Sequence, residues 1–448
     1  MAAASGPNII EDGLVLALDA GNTKSYASIP AITYVGGTSD SDNSSSLTLS
    51  GLQSGDLVLY FGAEDNQAQN TPTGASWAAV PGLVTQPDND GDPDSAAFYV
   101  FATGTSVTAS GLASGTNLVH VMIAFRNVDS TNPFDVNATE NSTTSGLPNP
   151  PSITPVTNNS MIVAVGLLDD DDVANTITPP TGYTTAVNMD SLGGATVNTG
   201  ITGATIMTAY KLLATAAAED PGVFTSSNGS AGSGEPSKGI SIALRLATNT
   251  TWTDTVGGNT GTLTNGPTFS SNDGGAIVFD GSNDYVTTGN TLTDADELFA
   301  DTGNAWSTSS WFNVDVISGA DKAVTGRGGG VGSAAAYAVW VENANLRVRL
   351  RGGTITNIST SIASNTWYNV VVTWDGTTAN GYLNGQFVTT LAVGTASNQT
   401  DTFTIGATNS GSLSEMDGKI SQTLVYNRAI TASEVLQNYN ALKGRYIN

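Results

Sequence analysis

Four aspartates alternate through Pro87-Asp-Asn-Asp-Gly-Asp-Pro-Asp94, at Asp88, Asp90, Asp92 and Asp94. Carboxylates at alternating loop positions suit Ca²⁺, a hard cation that takes oxygen ligands. Pro93 stands where a D-x-D-x-D-G loop has glycine, and no glutamate follows at the spacing of a closing ligand. A solvated acidic loop tip is therefore the plainer account. Asp169–Asp172, a second acidic cluster, reads as a strand end meeting water. Arg347, Arg349 and Arg351 alternate with Leu346, Val348 and Leu350. A strand sets three guanidinium groups so spaced on one face. There they could hold an acidic partner or an anionic glycan by bidentate contacts, although salt bridges within so acidic a chain account for them more simply. Trp77, Trp252 and Trp306 sit beside turn signals, where an indole face could carry a sugar ring. His120, the single histidine, lies mid-strand in Leu118-Val-His-Val-Met-Ile-Ala-Phe125 and reads as structural. There is no G-x-S-x-G elbow, no phosphate-binding G-x-x-x-x-G-K-[ST] and no G-x-G-x-x-G; the Gly326–Gly332 run reads as a flexible loop.

Composition narrows the setting. The 448 residues include 51 Gly and no Cys, and charged residues make up 12%. That length allows two or three domains, and a palette of Val, Ile, Thr, Ser and Gly belongs to strands and turns. With 14 basic residues against 39 acidic ones the net charge is −25. A polyanion is repelled, so nucleic acid is not an expected partner. Without cysteine there is neither a disulfide framework nor a thiol nucleophile. Met1–Gly13 has no basic n-region, so no signal peptide is expected. The longest apolar run, Met161–Leu168, is too short for a bilayer, so no membrane insertion is expected.

The elements that must position these groups are mostly strands. Tyr368–Trp374 alternates over two largely apolar faces, Asp375-Gly376 turns the chain, and a short strand through Tyr382 reaches Asn384-Gly385. Asn-Gly suits a type I′ turn, whose central residues both need φ > 0. An antiparallel meander follows. Near the end, Thr431-Ala-Ser-Glu434 is a capping box, Val435, Leu436, Tyr439 and Leu442 form a helical stripe, and Gly444 closes it. The texture changes at Ala27 and returns near Thr248, where Thr251–Pro267 continues what Asn22–Tyr26 began. This organisation predicts a discontinuous domain, 1–26 plus 248–448, interrupted by an insert over 27–247. The insert repeats itself. Ser54–Glu64 parallels Asn159–Asp169, Thr71-Pro-Thr-Gly74 parallels Pro179-Pro-Thr-Gly182, and His120–Arg126 parallels Gly239–Arg245. Halves at 27–150 and 151–247 are expected, as one β-sandwich or two.

Several motifs, in order, resemble a laminin-G-type, concanavalin A-like jelly roll: Phe279-Asp-Gly-Ser-Asn-Asp-Tyr-Val286, Trp367-Tyr368, Trp374-Asp-Gly376, Tyr382-Leu-Asn-Gly385, Ile405-Gly406, Asp417-Gly-Lys-Ile420 and Val425-Tyr-Asn-Arg-Ala-Ile-Thr431. The resemblance implies an all-β fold with one short C-terminal helix, the jelly roll being interrupted by the repeated β-sandwich region, and it implies that Trp367 and Trp374, at core positions of the family, are buried. It also implies a test, because the same fold hosts β-glucanases with an E-x-D-x-x-E signature. Glu415-Met-Asp417 matches its first two acids, but Ile420 stands at the third, and two carboxylates of defined separation are what glycoside hydrolysis requires. No catalytic residue is assigned. Such domains often carry a Ca²⁺ at the rim, with no ligands that map onto this chain.

Gly13-Leu-Val-Leu-Ala-Leu-Asp-Ala-Gly-Asn22 and Thr262-Leu-Thr-Asn-Gly-Pro267 resemble structural proteins of tailed bacteriophages, as does the insert. This resemblance implies a non-enzymatic virion protein, a capsid decoration, head fibre or tail fibre. It would contact other virion proteins or host-surface glycans as a homo-oligomer, and a trimer is what a projecting fibre suggests. A secreted lectin or adhesin is the alternative, followed by a glycan hydrolase.

Overall fold

Strand Trp367–Trp374 sends Val370, Val372 and Trp374 into one apolar cluster and Val371 into another. Such a strand needs cover on both faces. One face meets a second sheet and the other meets the C-terminal helix Ala432–Leu442, through Val435. The computed structural model describes residues 8–27, 29–41, 44–64, 70–83, 94–113, 118–144, 146–168, 177–190, 204–226, 236–288, 304–328, 331, 336–395, 402–408 and 413–446. It divides into two units, Met1–Ser28 with Thr248–Asn448, and Ile29–Ala247.

The first unit is a sandwich of two eight-stranded antiparallel sheets. One sheet runs Thr268–Ser270, Ala276–Asp280, Asp417–Tyr426, Trp306–Val314, Trp367–Trp374, Ala379–Leu383, Gln386–Leu391. Its eighth strand, Leu14–Asp19, pairs with Gln422–Tyr426, on the edge that Ala276–Asp280 leaves open beyond Ile420. Residues that precede the insert thus complete a sheet built from residues that follow it. The other sheet runs from Thr251–Trp252 through Tyr285–Thr287, Lys322–Arg327 and Tyr337–Glu342 to Thr356–Ser359. Phe279, Phe312, Val372, Val339 and Ile405 meet between the sheets. Asn384 and Gly385 have φ of 49° and 77°, both positive as a type I′ turn requires.

Polar clamps hold the ends of this unit. Thr431 Oγ1 accepts from the Glu434 N–H and the Glu434 carboxylate accepts from the Thr431 N–H, a complete capping box. Arg428 donates to both Glu434 oxygens at 3.0 and 2.7 Å. These Arg428 bonds, with those from Thr431, outweigh burial and hold the Glu434 carboxyl at about 2. Arg445 grips both oxygens of Asp19 at 2.9 Å. Where the chain leaves and re-enters the unit, the Thr253 N–H donates to Ser25 O at 2.7 Å and Asn249 Nδ2 to Ala27 O at 3.1 Å.

The second unit has two five-stranded sheets whose strands follow one another in the same order. The first runs Thr33–Ser41, Leu118–Arg126, Leu57–Glu64, Asp94–Phe101, Ala78–Ala79; the second runs Thr139–Thr143, Ser237–Leu244, Ser160–Leu168, Thr205–Leu213, Thr184–Asp190. Phe61, Ile123 and Phe125 from one sheet share an inner cluster with Val163, Ile206 and Ile242 from the other. The insert is therefore one sandwich with a common core. The expected division at 150/151 is corrected on one point: Thr139–Thr143 pairs with Ser237–Leu244 and belongs to the second sheet. That strand has two half-buried residues and three exposed ones, so it carries little apolar signal. Each five-stranded sheet also has an apolar outer face. Leu47 and Leu49 of the ribbon Ser46–Ser50/Ser106–Ser110 pack with Tyr60 and Met122 of the first, and Phe224 packs with Ile162 and Met207 of the second. Covered on both sides, the central strands read as unbroken apolar runs.

Each sheet also has an arginine paired with a buried aspartate, although the aspartates come from different places in the repeat, before Leu57–Glu64 and before Thr139–Thr143. Arg126 donates from Nε and Nη2 to Asp56 at 2.8 and 2.7 Å, and Arg245 donates from Nε to Asp135 at 3.0 Å. The aspartate side chains are 2% and 0% exposed. Burial pushes the Asp56 carboxyl up, but the Arg126 bonds and the Gln53 N–H outweigh it, and the net shift is downward. Among the described residues, no helix is long and apolar enough to cross a membrane, which says nothing of strands.

Candidate functional site

Asn313 and Trp367 are direct cross-strand partners in the first unit. Their neighbours Phe312, Val314 and Tyr368 pack on the inner core, so alternation turns Asn313 and Trp367 to the outer face of the sheet. The C-terminal residues cover that face. Tyr446 stacks on Trp311 with ring centroids 4.4 Å apart and lies 4.8 Å from Trp367. Its hydroxyl is 2.7 Å from Ser421 Oγ, and burial pushes that phenol up. Tyr439, from the helix, stacks on Trp311 at 5.4 Å.

The cover is incomplete and leaves a cleft of about 470 Å³. Three amide residues line it, Asn313, Asn365 and Asn384, with Trp367, Tyr446 and Tyr368, whose ring turns to the inner core against Phe312. Thr366 and Asp273 finish the lining, which holds no lysine or arginine. Asn365 and Asn384 have φ of 54° and 49°, a left-handed conformation that asparagine tolerates better than most residues. Their loops are tied down: the Asn365 N–H donates to Val314 O at 2.8 Å, and Asn384 Oδ1 accepts from the Asn369 N–H at 2.9 Å. Two polar atoms at the site have no hydrogen-bond partner, the acceptor Asn313 Oδ1 and the donor Trp367 Nε1. Their residues are only 5% and 6% exposed, and a buried polar group left unmade costs about 1–3 kcal/mol. An aromatic and amide cleft with unmet donor and acceptor capacity is what a small polar ligand needs.

The residues singled out in the sequence fall elsewhere. Trp252 and Trp306 are not surface platforms but members of the inner core. Trp252 lies on a two-residue strand that faces inward, and Trp306 opens strand Trp306–Val314 with its ring edge-on to Tyr337 at 5.4 Å. Trp77 is half-buried on the outer cluster of the insert, 6.0 Å from the Tyr60 ring. Trp374 and Trp367 are both buried, as expected, Trp374 in the inner cluster and Trp367 in a small cluster on the outer face of the sheet.

Arg347 and Arg349 face away from Leu346, Val348 and Leu350, and Arg347 is ion-paired with Glu342. Arg351 does not continue the stripe, because the strand ends at Leu350 and Arg351 turns at φ 48°. Beside that ion pair, burial first and then the Glu342 charge push the Asp321 carboxyl above its usual range. Asp88, Asp90 and Asp92 lie outside the described residues, as do Asp169–Asp172. Asp94 opens a strand, and its side chain is likewise outside them. Among the described residues, no three His, Cys, Asp or Glu side chains gather as a metal site. Glu415 and Asp417 flank Met416, which enters the core, and Ile420 also points there, so no third acid joins them. His120 is buried; its Nε2 lies 3.2 Å from Ala113 O, an acceptor, so Nε2 carries the proton and Nδ1 accepts from the Tyr60 hydroxyl at 2.8 Å. Burial pushes its pKa down, in keeping with a neutral structural histidine.

The match to known families falls on the same region. Residues 280–436 match the laminin G model described as the concanavalin A-like lectin/glucanases superfamily. They carry a concanavalin A-like domain. No curated protein matches the chain. Among solved structures it is similar to Trypanosoma rangeli sialidase bound to 2,3-difluorosialic acid, at 16% identity and a TM-score of 0.37, covering 45% of this chain and 33% of that one. It is also similar to the binding domain of Paraclostridial mosquitocidal protein 1, at 17% identity and TM-score 0.33 over 41% and 48% of the two chains. The botulinum neurotoxin serotype D binding domain gives 14% identity and TM-score 0.33 over 42% and 48%. The chain thus spans less than half the length of each.

The concanavalin A-like domain holds most of the cleft, through Asn313, Asn365–Tyr368 and Asn384; Asp273 and Tyr446 lie outside it. None of these residues stood out as a site candidate in the sequence. Asn384-Gly385 shows as a turn, but its role in a cleft depends on register between strands far apart in the chain.

Proposed function

We propose that this protein is a non-catalytic, lectin-like protein that binds glycan in the cleft over Asn313 and Trp367. The observation that carries the reading is the unmet donor and acceptor on two cross-strand neighbours, inside a cleft lined by amides and aromatic rings. Rings offer a flat apolar face with a negative quadrupole to the C–H groups of a sugar, while amides both donate and accept. The lectin-like domain type supports the reading. The missing acid at Ile420 favours binding over hydrolysis.

The setting we propose is the surface of a virion, where many copies would add avidity to weak single sites. It rests on the resemblance of Gly13–Asn22 and Thr262–Pro267 to phage structural proteins. The test is a glycan array probed with the full chain, followed by reducing-sugar assays on each ligand. Binding without release of reducing ends is expected. Release lost in Glu415→Gln would replace this reading with a hydrolase, and no binding to any glycan would end it. Antibody against the chain should label phage particles; labelling of none would move the protein to the secreted lectins.

A further inference from the structure

The unmet groups say which glycans fit, given that the cleft binds glycan at all. We propose that it selects an uncharged sugar, with one ligand hydroxyl shared between Asn313 Oδ1 and Trp367 Nε1, and that it rejects carboxylated and sulfated sugars.

A hydroxyl donates one hydrogen bond and accepts others. Placed between Asn313 and Trp367, it donates to the amide oxygen and accepts from the indole N–H, so one group satisfies both orphans. A carboxylate or sulfate can only accept, which leaves Asn313 Oδ1 unmet. An ammonium can only donate, which leaves Trp367 Nε1 unmet. The two residues face each other across adjacent strands, where opposed Cβ atoms stand about 4.5–5.5 Å apart. Both side chains therefore stand side by side on one face of the sheet.

Charge points the same way. Asp273 is the single ionisable carboxylate in the lining, and no cation lines the cleft to offset an anionic ligand. The basic groups around it are engaged: Lys419, the cross-strand neighbour of Asn313, pairs with Asp315 at 3.5 Å, and the Arg445 guanidinium lies 5.2 Å over the Tyr446 ring. Arg445 holds Asp19 and the carbonyl of Gly274, and Lys443 sits 5.8 Å over the Tyr439 ring. The net charge of −25 adds long-range repulsion. Both orphan atoms are almost without exposed surface, so a ligand must reach them by turning a rim side chain. Binding should therefore change the emission of Trp367.

The experiment is calorimetry and fluorescence titration of the full chain with matched ligand pairs: neutral oligosaccharides against the same chains ending in a uronic acid, sialic acid or sulfate. Neutral chains should bind at least tenfold more tightly. Asn313→Leu keeps bulk and removes an unmet acceptor, so it should hold or raise the melting temperature while weakening the neutral ligand about tenfold. Trp367→Phe keeps a ring, should weaken it similarly, and should lose the emission change; it carries the test if Asn313→Leu does not fold. A preference for anionic chains, equal binding of both, or undiminished binding by the two variants would overturn the inference while leaving glycan binding in place. Failure of every glycan to bind would instead remove the reading on which it rests.

Discussion

The insert and the jelly roll solve the same packing problem differently. Each has strands apolar on both faces, and each must cover the outer side of its sheets. In the insert a repeated plan supplies the cover, with outer clusters around Tyr60 and Met122 in one half and around Ile162 and Phe224 in the other. In the jelly roll a helix and the C-terminal residues cover one sheet. The insert also has a cleft, about 600 Å³, lined by Tyr34, Tyr210, Met161 and Lys211. Its polar groups are engaged within the chain: the Tyr34 hydroxyl donates to Ala186 O, and Lys211 pairs with Glu219 at 2.7 Å. The smaller cleft of the jelly roll is the one with an unmet donor and acceptor. Unmet polar chemistry, rather than volume, distinguishes the two clefts.

The largest expected effect is in the insert, where Arg126 and Arg245 are the cationic partners of the buried Asp56 and Asp135. Arg126→Ala or Arg245→Ala removes the charge that offsets a buried carboxylate, and each should lower the midpoint of denaturant titration, although the Gln53 N–H still donates to Asp56 and Val156 and Thr157 still donate to Asp135. Arg126→Ala should cost more, because Asp135 keeps three hydrogen bonds without its arginine and Asp56 keeps one, and glycan binding should be unchanged.

Next come two carboxylates of the jelly roll with opposite pH signatures. Glu434 has its folded pKa lowered from 4.5 to about 2, so its stabilisation is present above pH 4.5 and is lost as pH falls toward 2. Arg428 and the capping box supply it, and Glu434→Gln should cost about 1 kcal/mol at pH 7 and flatten that acid limb. Asp284 has its folded pKa raised from 3.8 to about 6, by burial first, against the Asp280 N–H that favours the anion. Its sign is reversed: the stabilisation of the protonated form is present below pH 3.8 and is lost as pH rises through 6. Asp284→Asn should therefore raise the melting temperature at pH 7.5 and leave it unchanged at pH 4. The smallest effect belongs to Arg347. Its pair with Glu342 lies at the surface, so Arg347→Ala should change stability by less than about 1 kcal/mol and leave glycan binding intact.

Local signals in the sequence carried much of the fold. The Asn384-Gly385 turn, the Thr431–Glu434 capping box and the alternation of Leu346, Val348 and Leu350 each depend on residues within a few positions of one another, and the structure contains all three. The doubled order of the insert follows from similar apolar runs. What the sequence hid was long-range. Trp306 is followed by Ser307-Thr-Ser-Ser310, which looks like a loop, yet all four residues are buried in a strand between two others. Thr139–Thr143 is polar and finds its place only beside Ser237–Leu244. The cleft draws on positions from Asp273 to Tyr446. Alternation marks the face on which Asn313 stands, but not that the cover above it stops short.

The central claim is that the jelly-roll cleft receives a neutral sugar. Its most direct test is a crystal structure of the full chain with a neutral oligosaccharide chosen from the array. A sugar ring against Trp367 and Tyr446, with one hydroxyl between Asn313 Oδ1 and Trp367 Nε1, is the predicted result. A sugar bound elsewhere at saturation, with Asn313 and Trp367 untouched, would contradict it.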